Sequence, residues 1–126
     1  MLELFKELKF VKSDRWAVGN AIGEIGDKTY VDEYIKIIND RSNGRDRQMI
    51  VYFMYRFKEK KVKEALLGLL DDEEVNGHAL YALGMFKDYS LIEKIKLFLS
   101  HKITFKRTIA KRAIAKLEKQ KNLEST

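Results

Sequence analysis

Cysteine and proline are both absent from this 126-residue chain, and histidine occurs only as His78 and His101. Without cysteine there is no disulfide framework, no thiolate nucleophile and no cysteine-ligated zinc or iron–sulfur centre. Without proline nothing obliges a helix to break, in keeping with near-continuous helix. No uninterrupted apolar run approaches the ~18 residues of a membrane span. Met1-Leu2-Glu3-Leu4 also lacks the basic-then-apolar layout of a secretory leader, so the expected address is the cytoplasm. Glycine-rich phosphate loops, serine elbows and kinase motifs are missing. His78 and His101 lie 23 residues apart with no carboxylate at a metal-ligand spacing. The run Asp71-Asp72-Glu73-Glu74 lacks the alternating ligands of a calcium loop and reads as helix N-terminal charge. No catalytic centre, metal or cofactor is expected.

What the chain does have is 45% apolar and 35% charged residues, enough to fold as one globular domain. The net charge is +6, but residues 1–100 carry 17 basic and 17 acidic side chains. The excess sits beyond residue 100, where Lys102 to Lys121 holds eight basic residues against Glu118 alone. The expectation is a neutral body with a basic last helix.

One unit recurs along the chain. Val18, Ala21, Ile22 and Ile25 have the i, i+3, i+4, i+7 spacing of a helix face. Shifting by 32 gives Ile50, Phe53, Met54 and Phe57; a further 29 gives Ala79, Ala82, Leu83 and Phe86; a further 31 gives Ala110, Ala113, Ile114 and Leu117. The position after the third anchor is small in three copies, Gly23, Gly84 and Ala115. The first three copies continue through a polar turn into a second helical pattern: Val31, Ile35 and Ile38; Val62, Leu66 and Leu69; Leu91, Ile95 and Phe98. Thr29-x-x-Asp32 and Ser90-x-x-Glu93 read as capping boxes for two of these helices, while Lys60-Lys61 has no comparable cap. Leu4, Phe5, Leu8 and Val11 form the apolar face of a lead-in helix over 2–11, and Ser13 or Asp14 caps the helix that follows. Hairpins over about 14–40, 46–71 and 74–100 and a final helix over about 104–121 complete the expected order. No such hairpin buries its apolar face alone, whereas stacked neighbours share a continuous core.

The segments Ala21-Ile22-Gly23-Glu24-Ile25-Gly26-Asp27 and Ala82-Leu83-Gly84-Met85-Phe86-Lys87-Asp88 resemble the HEAT-like repeat family, in its short bacterial form (the PBS-lyase type). The resemblance covers residues 14 to about 120. It departs from the family pattern in lacking the proline after Gly-Asp and in placing Tyr55 at the small position of the second unit. It implies an all-α fold: a right-handed α-solenoid of about three helix pairs, first helices convex and second helices lining a concave groove. It also implies binding in preference to catalysis, since such arrays take proteins and sometimes nucleic acid.

Three surfaces are candidates. In register, the second helices align Glu33, Glu64 and Glu93, and three residues on Lys36, Leu67 and Lys96. This is either a solvated face with local ion pairs or a mixed-charge groove for a protein segment, and its carboxylates make it a poor track for phosphates. On the first helices, Tyr52 and Tyr81 are equivalent, Tyr55 is close by, and Asn20 and Arg112 occupy the same column at its two ends as a polar rim. The tyrosines form either the interior of a central helix with two neighbours or an exposed aromatic patch suited to a protein interface. On the last helix, Arg107, Lys111, Arg112, Lys116 and Lys119 form either a solubilising outer face or a docking stripe for phosphate or an acidic partner. No aromatic side chain is interleaved in that stripe, which disfavours stacking of single-stranded bases. The expected function is therefore non-catalytic binding of another protein, as an adaptor or a stoichiometric inhibitor, one form being an immunity protein that covers a toxin. The alternative is nucleic-acid binding through the basic last helix.

Overall fold

The first helix, α1 (Leu2–Glu7), is six residues long, and the helices after it are joined by 3₁₀ segments and turns. The structure, a computed structural model, describes residues 1–7 and 15–124; these form eight α-helices and no strand. A 3₁₀ turn at Lys28–Tyr30 joins α2 (Arg15–Ile25) to α3 (Val31–Asn39). Next, α4 (Gln48–Phe53) runs on as a 3₁₀ turn over Met54–Arg56 and is followed by α5 (Lys60–Gly68). Then α6 (Asn76–Gly84) precedes α7 (Leu91–Lys96), which tightens into a 3₁₀ turn over Leu97–Ser100. A single long helix, α8 (Thr104–Glu124), ends the described chain. The expected lead-in helix is seen only as α1; Leu8, Val11, Ser13 and Asp14 lie outside the described residues.

Apolar periodicity accounts for the packing. Helix α2 packs on α4, α4 on α6, and α6 on α8, while α3 touches α4 and α5, α5 touches α6, and α7 touches α8. Along the first row Ile22, Ile50, Met54, Phe57, Ala79, Ala82, Leu83 and Phe86 are buried, as are Ala110, Ala113, Ile114 and Leu117 on α8. Val31, Ile38, Val62, Leu66, Leu69, Leu91 and Ile95 bury the facing stripe of the second helices. Two expected core residues are exposed, Leu4 at 44% and Ile25 at 63%. Both belong to the end of the row, where among the described residues only the six-residue α1 lies beyond α2.

Where two first helices approach closely, the repeat needs a small residue. A Cβ on Gly23 would come within 2.8 Å of the Met49 carbonyl, and one on Gly84 within 2.8 Å of Ala113 Cβ and 2.9 Å of its Cα. Ala115, at the same register on the last described helix, is exposed.

The turns are capped differently from the sequence expectation. Thr29 and Ser90 are not the capping acceptors; the aspartate two residues before each of them is. Asp27 accepts from Thr29 N at 2.9 Å, and Asp88 accepts from Ser90 N at 3.0 Å and Ser90 Oγ at 2.6 Å. Asp40 does the same for Ser42. An Asx turn satisfies the free amides one turn earlier than a capping box would, so the chain enters each segment through a tight 3₁₀-like start. These contacts hold Asp27 below the ordinary carboxylate range, and Asp88 is held low first by Lys63 and then by Ser90.

A second device recurs at the start of the first helices. Arg15 donates Nε to the Phe5 carbonyl at 2.7 Å and Nη2 to Asn43 Oδ1 at 2.7 Å. In the next unit Arg47, fully buried, donates Nη1 to the Ile38 carbonyl at 2.9 Å and Nε to the Gly44 carbonyl at 2.8 Å, while Nη2 lies 2.8 Å from Asp72 Oδ2. Asn76 donates to the Leu70 carbonyl, and Arg107 donates to the His101 carbonyl at 2.6 Å. Positions 15, 47, 76 and 107 are equivalent in the repeat register. Each reaches back to carbonyls left open where the preceding segment ends, which joins one unit to the next.

The acidic run has a related role. Asp72 pairs with Arg47 and Arg41, Asp71 with Arg41, and Glu73 with Lys106 and His101. The run thus binds cations from two other segments, whereas the sequence suggested only helix N-terminal charge.

Candidate functional site

The carboxylates of the second helices are locally paired. Glu33 lies 3.6 Å from Lys36 and 3.8 Å from Lys6, Glu64 lies 3.9 Å from Lys60, and Glu93 lies 3.3 Å from Lys96. Between helices, Lys61 meets Asp32 at 2.8 Å and Lys63 meets Asp88 at 2.7 Å. Leu67 is half-buried against the core. Exposed pairs of this kind contribute little individually, and together they leave this face close to neutral.

The aromatic residues are brought together on the other row. Tyr52 of α4 and Tyr81 of α6 stack with ring centroids 4.1 Å apart and planes 7° from parallel. Tyr55 meets Tyr81 edge-on at 5.9 Å and Tyr52 edge-on at 6.5 Å. All three are half-buried, between the two readings considered for them. The Tyr52 hydroxyl beside it, and then burial, raise the Tyr81 phenol above its ordinary value.

The basic stripe of α8 does not lie on one face. Arg107 is half-buried, its two amino groups bonded to the His101 carbonyl and to Thr104 Oγ1. Lys111 is exposed on the same side of the helix as Arg107, one turn on. Arg112, Lys116 and Lys119 lie along another side, one turn apart, where α8 meets α6. Lys116 sits there with its ammonium 4.9 Å from the Tyr81 ring centroid and 3.4 Å from Met85 Sδ. The side chains of Lys111, Arg112 and Lys119 form no hydrogen bond or ion pair among the described residues.

The aromatic patch and half of the basic stripe therefore form one site. A pocket of about 400 Å³ opens between α4, α6 and α8. Met49 and Tyr52 line it from α4, and Gly77, His78 and Tyr81 from α6. Phe105, Ile109 and Ala113 line it from α8, with Arg112 and Lys116 as the cations of its wall. No lining residue is acidic. His78, tilted against Phe105 at 6.1 Å, has its imidazole pKa lowered by burial and then by the nearby charge of Lys106, so it is neutral at pH 7. Tyr55 and Lys119 stand outside the lining. Lys58 lies 5.5 Å from the Tyr55 ring and donates to the Met85 carbonyl at 2.8 Å.

Sequence reasoning put Tyr52, Tyr81 and Arg112 in one column of the register but left Lys116 to a separate basic stripe, and it found no aromatic residue interleaved in that stripe. The aromatic neighbours come from α4 and α6 and from Phe105 at the start of α8, so spacing along one helix does not reveal them. Phe105, which is 51% exposed, and His78, with Met49, Gly77 and Ile109, were among the lining residues that sequence reasoning missed. The register, in which Tyr81 and Arg112 are equivalent positions of adjacent units, had placed Arg112 at the rim of the tyrosine column.

Among the described residues no group of three or more His, Asp or Glu side chains is placed to hold a metal ion, and no helix is long and apolar enough to cross a membrane. No protein-family model and no curated protein matches the chain.

Proposed function

We propose that this protein is a small HEAT-like helical solenoid that works without catalysis, by binding another protein through the face formed by its first helices. The observation that carries the reading is the convergence of Tyr52, Tyr81, Arg112 and Lys116 on one pocket between three helices. Aromatic residues, methionine and arginine are the side chains enriched at protein interfaces, and concave apolar sites with a few placed polar groups are where partners anchor. The repeated glycine contacts and the repeated reach-back at positions 15, 47, 76 and 107 support the solenoid. The paired charges on the second-helix face make it the weaker candidate for a partner.

An adaptor and a stoichiometric inhibitor, including an immunity protein that covers a toxin's active surface, both use such a site. Co-expression of the full chain with the products of its neighbouring genes, followed by size-exclusion chromatography, tests the reading. A stoichiometric protein complex that survives moderate salt is the expected result. No complex with any neighbour, together with tight, strongly salt-dependent retention on nucleic acid, would overturn it in favour of a nucleic-acid binder.

A further inference from the structure

Two features of the pocket constrain what fills it. The first is charge: Arg112 and Lys116 stand on its wall, Arg112 has no partner among the described residues, and no carboxylate lines it. A bound group that brings negative charge therefore meets two cations without displacing an existing ion pair. The second is how the rings are used. One face of Tyr81 is covered by Tyr52 at 4.1 Å, Tyr55 abuts it edge-on, and Lys116 holds its ammonium 4.9 Å from the ring centroid. A nucleic-acid base stacking on Tyr81 would have to part the tyrosine pair or displace the lysine. An aliphatic or aromatic side chain entering between Met49, Ile109 and Ala113 meets no such obstacle.

We infer that the pocket between α4, α6 and α8 takes an acidic protein segment that inserts one large apolar side chain, its flanking carboxylates pairing with Arg112 and Lys116. The inference rests on the protein-binding reading above and deepens it by naming the partner's chemistry. The inserted side chain supplies the buried anchor, and the charge pairs at the rim set register and encounter rate.

The test uses the full-length protein and synthetic probes: short Asp/Glu-rich peptides with a central Phe or Leu, the same peptides with central Ala, Lys-rich peptides with central Phe, and oligothymidylate. Binding is followed by fluorescence anisotropy and by amide chemical-shift changes. The acidic Phe and Leu peptides are expected to bind, shifting Tyr52, Tyr81 and Ile109, with loss of binding on change to Ala. Charge reversal at Arg112→Glu with Lys116→Glu is expected to weaken them ~10-fold or more. The matched reversal Lys102→Glu with Lys111→Glu, away from the pocket, has the same net charge and is expected to retain most of the affinity.

Equal loss in both double variants would show a net-charge effect and overturn the site. Preference for Lys-rich peptides, with shifts at Glu33, Glu64 and Glu93, would overturn this inference and the choice of the first-helix face, while leaving non-catalytic protein binding intact. Binding of oligothymidylate but of no peptide would overturn both. Circular dichroism of each variant shows that it is folded, and a misfolded pair is replaced by Arg112→Gln with Lys116→Gln, read against the same probes.

Discussion

Replacing Arg47 by methionine keeps an unbranched side chain in the core but removes a guanidinium that is fully buried. Three contacts disappear: Nε to the Gly44 carbonyl, Nη1 to the Ile38 carbonyl, and the 2.8 Å pair with Asp72. Asp72 is itself 5% exposed, and its other cation, Arg41, is exposed and stands 3.7 Å away. The charge of Asp72 is therefore left largely uncompensated in a site shielded from water. Removing one partner of a buried pair costs about 3–5 kcal/mol, a large share of the ~5–15 kcal/mol that a domain of this size has. With a urea m-value of ~1–3 kcal/mol/M, the midpoint falls by ~2 M. Equilibrium urea unfolding followed by far-ultraviolet circular dichroism measures this directly. The partner change Asp72→Asn, combined with Arg47→Met, is expected to cost less than the sum of the two by more than ~1 kcal/mol, because the second change removes the charge that the first left unpaired. A loss under ~1 kcal/mol for Arg47→Met, with additive behaviour in the double variant, would refute the role given to this arginine in joining the first unit to the second.

Other expectations follow from single contacts. Gly84→Ala places a methyl 2.8 Å from Ala113 Cβ and 2.9 Å from its backbone Cα, so α6 and α8 must part, at ~1–3 kcal/mol read from the same unfolding curves. Asp27→Ala removes the acceptor for Thr29 N and should lower stability more than Thr29→Val does, read from the same unfolding curves, the opposite of what a capping box predicts. The imidazole of His78 titrates below its ordinary 6.5 when folded because burial and Lys106 disfavour its charged form. The unfolded chain therefore takes up that proton first. The stability linked to neutral His78 is complete above pH 6.5 and is lost as the pH falls through the folded value. His78→Gln should flatten the stability profile there and leave the lower, carboxylate-driven loss, to which Asp88 and Glu73 contribute below their ordinary 3.8 and 4.5. Changing Glu33, Glu64 and Glu93 together to Gln should alter stability by no more than ~0.5 kcal/mol per site, as measured by thermal unfolding, because each is an exposed, locally paired carboxylate.

The sequence by itself determined the helical class, the recurrence of the unit and most of the buried stripe, because a period near 3.6 and a register repeated along the chain are properties of order along one dimension. It also separated the neutral body from the basic last helix. Helix ends were less legible: Asp27 and Thr29, or Asp88 and Ser90, offer two local capping schemes of similar energy, and the path of the chain through the turn selects between them. What only the tertiary structure decided is which side chains meet across helices. Arg47 and Asp72 are 25 residues apart, and Tyr52, Tyr81 and Lys116 come from three helices, so no spacing rule links them. The rotation and closeness of neighbouring helices, set by contacts such as Gly84 against Ala113, turn Lys116 toward the tyrosines and leave Arg107 bonded within its own turn. A stripe of cations in sequence thereby becomes, in three dimensions, a linker contact on one side and an aromatic, positively rimmed pocket on the other.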